Sequence, residues 1–87
     1  MDYDEIKPNM VTKELKRKYG SSIINSVFLD LSIQVNFNDM DTARKLFDDL
    51  YDKGGSDIQL NYYNQSPNVY VKKDFMIKYL FKPIKAK

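Results

Sequence analysis

The chain contains no cysteine, no histidine and no tryptophan, and its only arginines are Arg17 and Arg44. Without thiols there is no disulfide framework and no thiolate-held zinc or iron–sulfur centre. Without imidazole, serine–histidine triads, zinc hydrolase sites and two-histidine iron sites are excluded, and the commonest general base is missing. No apolar run approaches the roughly 20 residues of a membrane span, and the opening MDYDEIKPN lacks the apolar core of a signal peptide. Walker, dinucleotide and nucleophile-elbow motifs are absent as well. Only Asp, Lys, Tyr and Ser remain for chemistry, and they do not cluster. The expectation is therefore a non-enzymatic, cytoplasmic protein with no catalytic residues, no metal site, no cofactor and no membrane partner.

What remains is an ordinary globular composition. The 87 residues are 43% hydrophobic and 30% charged, enough for one domain and no more. Net charge is +2, too small to imply nucleic acid by itself. Its distribution is uneven. Lys13, Lys16, Arg17 and Lys18 crowd the first third, and Lys72, Lys73, Lys78, Lys82, Lys85 and Lys87 the last. Asp30, Asp39, Asp41, Asp48, Asp49, Asp52 and Asp57 make the middle acidic. The bias toward Lys, Asn, Tyr and Ile is that of an AT-rich genome.

Pro8 suits the first turn of a helix running to Tyr19 and ended by Gly20, with Val11, Leu15 and Tyr19 as a narrow apolar stripe. From Val27 to Phe37 apolar and polar residues alternate, with Phe28 the exception, and this period of two predicts one long strand, β1 of the expected fold. Asn38 or Asp39 offers an N-cap for a helix whose Ala43, Leu46, Phe47, Leu50 and Tyr51 recur at helical spacing, with Gly54–Gly55 ending it. Residues 57–63 alternate again, 64–68 read as a loop, and 69–73 as a strand. Lys73–Asp74 is read as a hairpin turn. Phe75, Ile77, Tyr79 and Phe81 then alternate as a last strand that Pro83 stops, before a short basic tail.

The expected class is α+β: an N-terminal helix followed by a βαβββ module, with a four-stranded, mainly antiparallel sheet and one helix packed on one face. Residues 1–22 form an arm and basic helix, and residues 23–87 the domain proper. So small a core with two sheet edges favours a bound partner or a second copy.

Residues 27–82 resemble a known family. Leu31-Ser32-Ile33, Asp39-Met40-Asp41-Thr42-Ala43, Leu46-Phe47-Asp48-Asp49-Leu50, Gly54-Gly55, Ile58, Leu60 and Asp74-Phe75-Met76-Ile77-Lys78-Tyr79 are similar to the βαβββ module of the vicinal oxygen chelate (glyoxalase/bleomycin-resistance) superfamily, in its PhnB-like branch. The resemblance implies two such modules closing a cleft, hence a homodimer. The chain departs from the family in lacking histidine and any acid on the expected last strand, and in having Met76 where glycine is usual. The implied cleft would be metal-free and would bind a small ligand.

Weighed by chemistry, Asp41, Asp48, Asp49 and Asp52 read as a solvated helix face rather than a cation site, since no calcium-loop spacing is present. Gly54–Gly55 precedes a strand, so it reads as a helix stop rather than a phosphate loop. The basic helix 11–19 reads as a docked arm. The candidate binding residues are Tyr63, Tyr70, Lys72, Lys78, Gln34 and Asn36, expected on the open face of the sheet beside Ser32 and Asn61. There Tyr63 and Tyr70 would act as anchors and Lys72 and Lys78 as charge partners. The leading expectation is a protein-binding module, of the kind phages and mobile elements use to occlude a host protein such as a nuclease. The alternatives are the dimeric metal-free small-ligand binder and a single-stranded nucleic-acid binder, in which the same rings would stack bases.

Overall fold

In the computed structural model, residues 5–63 and 66–81 are described, apart from the side chain of Tyr63. The start of the expected arm, loop residues 64 and 65 and the basic tail from 82 onward lie outside them. The order is α1 (Pro8–Tyr19), β1 (Ile23–Leu29), β2 (Ser32–Phe37), α2 (Met40–Asp52), β3 (Gln59–Tyr63), β4 (Ser66–Lys72) and α3 (Lys73–Phe81). All pairings are antiparallel, in the spatial order β1-β2-β4-β3. The expected α+β class, N-terminal helix and four-stranded antiparallel sheet are all present.

The arrangement differs in two places. Residues 27–37 are not one strand. A two-residue turn at Asp30–Leu31 folds them, with residues 23–26, into a hairpin in which Leu29 pairs with Ser32. Such a turn exchanges the parity of the two faces, and the apolar–polar alternation runs on through it only because Val27 and Leu29 are apolar residues on the outer face. Phe28 thereby joins Ile33, Val35 and Phe37 on the inner face, and Val27 and Leu29 move to the outer one. Neither turn residue takes a positive φ, so the glycine signature of the commonest two-residue hairpins is absent.

The second difference is at the end of the described chain. Residues 73–81 form a helix, not a hairpin turn and strand. Phe75, Met76, Ile77, Tyr79, Leu80 and Phe81 leave so few polar positions that periods of 2 and 3.6 both fit, and Met and Leu favour helix. Asp74 stands in the first turn and Lys78 in the last, each favourable to the helix dipole. Of the expected loop 64–68, Ser66–Asn68 already belong to β4. Pro67 is tolerated there because pairing to β2 ends at Asn68, so the missing N–H breaks no bond on that side.

All three helices lie on one face. Val11 and Leu15 of α1, Ala43, Leu46 and Leu50 of α2, and Met76 and Ile77 of α3 form one core with Ile23, Ile33, Val35, Phe37, Val69 and Val71. Helix α1 lies along edge strand β1, where Thr12 Oγ1 is 2.9 Å from the buried Ser26 hydroxyl. Gly20 closes α1 at φ +100°, a conformation other residues rarely adopt. Asp39 caps α2, accepting at 2.8 Å from the Thr42 amide. The Ser22 hydroxyl, then that amide, holds its carboxyl below the ordinary aspartate range. The cap is therefore complete above the unfolded-state pKa of about 3.9 and is lost as pH falls below it. Amide exchange at the start of α2 should accelerate in that window.

Gly55 follows α2 at a close approach. A methyl group there would sit 2.5 Å from Ile58 Cδ1, 2.8 Å from the Leu50 carbonyl oxygen and 3.0 Å from Phe75. The backbone oxygen cannot yield as a side chain would. Gly55→Ala should cost about 1–3 kcal/mol of stability, read as a lower thermal midpoint.

Candidate functional site

With the helices on one side, the other face of the sheet is left to the side chains of opposite parity. Register arranges them in rows across the strands. Asn25, Asn36, Asn68 and Asn61 line up over all four strands. The next row is Val27, Gln34, Tyr70 and Gln59, and the third is Leu29, Ser32 and Lys72. Asn36 Nδ2 donates to Asn25 Oδ1 and Gln34 Nε2 to Asn36 Oδ1, both at 2.7 Å. Asn61 Nδ2 reaches Asn68 Oδ1 at 3.4 Å. These bonds hold the amides in defined orientations. The Asn68 side-chain amide, though buried, has no acceptor for its own hydrogens among the described residues.

The face carries almost no charge. The one charged side chain that the described strands place there is Lys72, whose ammonium is 4.0 Å from the Asp57 carboxylate. Asp57 takes φ 59°, a left-handed conformation that aspartate tolerates better than most residues. At one corner the apolar side chains Val27, Leu29 and Leu31 are 39%, 37% and 76% exposed.

Of the expected binding residues, Gln34, Asn36, Tyr70 and Lys72 do share this face, with Gln34 and Tyr70 directly paired. Tyr63 pairs with Ser66 at the far end of β3, and its side chain lies outside the described residues. Lys78 is a correction. It was expected beside them on a last strand, and because residues 73–81 are helical it stands on α3, on the opposite side of the sheet. Asn25, Gln59 and Asn68 were missed: Asn25 reaches this face only through the hairpin, Asn68 fell in the expected loop, and Gln59 joins the row only through the β3–β4 register. No protein-family model, curated protein or solved structure matches this chain.

The helix layer is fastened by a chain of hydroxyls. Tyr19 of α1 lies 2.7 Å from Asp49 Oδ2 of α2 and 2.6 Å from the Tyr79 hydroxyl of α3. Burial, then the bonds to Tyr79 and Asp49, pushes the Tyr19 hydroxyl far above its ordinary range, so it stays protonated. Its single hydrogen goes to the carboxylate, and Tyr79 therefore donates to Tyr19. Asp49 is thus engaged in holding the helices together. Among the described residues no three acidic groups come close enough to hold a metal ion. Tyr19→Phe leaves Asp49 without its donor and Tyr79 without its acceptor, and should cost about 1–3 kcal/mol, measurable by chemical unfolding.

Proposed function

We propose that this chain is a non-catalytic protein-binding module whose open sheet face is the interface. The observation that supports this best is the set of in-register, nearly uncharged rows of amides and Tyr70 with an apolar corner, on the sheet face that no helix among the described residues covers. Interface cores are depleted in charge and enriched in tyrosine, and surfaces selected to bind proteins lean on Tyr, Ser and Asn. The strands hold these groups rigidly, which lowers the ordering cost of association. A nucleic-acid strand would instead require several cations along its path to replace counterions, and this face offers Lys72 alone, already beside Asp57. Binding of this kind acts by covering the partner's surface and needs no chemistry from the chain.

The test is affinity capture from the source cell's extract with three immobilised baits: the natural chain, Gln34→Arg and Lys78→Gln. A specific protein should be retained by the natural chain and by Lys78→Gln, and lost by Gln34→Arg, which sets a new charge in the middle row. Retention by Gln34→Arg with loss by Lys78→Gln would move the interface to the helix side. Retention of an oligonucleotide at low salt, strengthened by Gln34→Arg, would replace the protein partner with nucleic acid.

A further inference from the structure

On the helix side, the expected anchor Lys78 finds different company. Lys18 from the last turn of α1, Lys53 at the C-terminal cap of α2 and Lys78 from the last turn of α3 line one cavity of about 440 Å³ together with Phe75 and Tyr79. The Lys18 ammonium lies 5.7 Å from the centre of the Tyr79 ring. Phe75 is backed by Gly55, whose missing side chain makes room for the ring.

Among the described residues none of these lysines has a carboxylate within 4 Å: the ion pairs there are Arg17 with Glu14 and Lys72 with Asp57. Of the carboxylates on the neighbouring elements, Asp49 is taken by Tyr19, and Asp48, Asp52 and Asp74 are exposed and pair with none of the three. Helix dipoles favour a cation at the C-terminal end of each of the three helices. They do not account for all three lysines lining the same space beside two aromatic rings. Like charges so placed repel, and an anion between them relieves the repulsion.

We infer that this cavity binds a phosphate ester with a flat aromatic body, a free mononucleotide in size and chemistry. The phosphate takes the three ammonium groups, since lysine serves phosphate as a point charge. The base lies against Phe75 and Tyr79, an arrangement favourable to any aromatic heterocycle. The volume falls within the usual range for small-molecule sites, about 300–1,000 Å³. The site is on the opposite side of the sheet from the proposed interface, so the two stand or fall separately.

The experiment is an amide-shift titration of the full chain with adenosine monophosphate, adenosine and inorganic phosphate as probes. Saturable shifts with the monophosphate are expected at residues 18–19, 53 and 75–79. Adenosine should bind at least about tenfold more weakly, and Lys53→Gln/Lys78→Gln should weaken the monophosphate by about tenfold or more. Both lysines are exposed, and an unchanged spectrum away from the site verifies the variant's fold. Phe75→Leu should weaken the monophosphate and leave inorganic phosphate unaffected. No saturation by about 10 mM monophosphate, equal affinity for adenosine, equal affinity for inorganic phosphate, or binding that survives the double lysine variant each overturns the inference.

Discussion

Met76→Ala is expected to lower stability by about 2–5 kcal/mol, read as a shifted urea midpoint with an unchanged slope. Met76 is fully buried in the core beneath the sheet. Truncation there removes three heavy atoms from where α3 packs on α1, β2 and β4, rigid elements that cannot close in fully. The variant also separates the two readings of residues 73–81. On a strand alternating with Phe75 and Ile77, Met76 would face outward and its loss would be nearly silent. On α3 it shares the inner side with Ile77, and Lys78 is the exposed neighbour. Lys78→Ala should therefore leave stability unchanged within about 0.5 kcal/mol. A neutral Met76→Ala would contradict the helix.

Tyr70→Ala is expected to weaken the captured partner by about thirtyfold or more, the 2 kcal/mol or greater typical of a central aromatic anchor, measured by titration of the purified pair. Tyr70 sits on inner strand β4, paired with Gln34 on one side and Gln59 on the other, so it is near the middle of the open face. Its truncation should change stability little, because its ring lies outside the core formed with the helices. Lys72→Ala should act differently. Its ammonium is exposed and already faces Asp57, so its loss should change the association rate and salt dependence more than the dissociation rate.

How much of this could be read from the residues alone differs by element. Helix α2 was readable except at one position: Asp39 caps it and Ala43, Leu46 and Leu50 are its buried stripe, but Tyr51, expected on that stripe, is 64% exposed. Helix α1 was equally plain from Pro8, Val11, Leu15 and Gly20. The hairpin was not, because Asp30–Leu31 carries no glycine and the exposed apolar Val27 and Leu29 hide the change of parity at the turn. Helix α3 was not, because a nearly continuous apolar segment has no period to read, and its packing against β2 and β4 decides the matter. The open face was half readable. Gln34, Asn36, Tyr70 and Lys72 follow from strand parity alone. The row of four asparagines requires the register of all three pairings, which depends on contacts distant in sequence. The lysine cavity was out of reach for the same reason, since its residues come from three separate helices.

The central claim is that a protein partner covers the open sheet face. Hydroxyl-radical footprinting of the purified complex against the free chain tests it most directly, because the two sides of the sheet carry different oxidisable side chains. The account predicts that Tyr70, Val27 and Leu29 lose reactivity in the complex, and that Tyr51, Phe75 and Tyr79 keep theirs. Protection of Phe75 and Tyr79 with Tyr70 unchanged would contradict it.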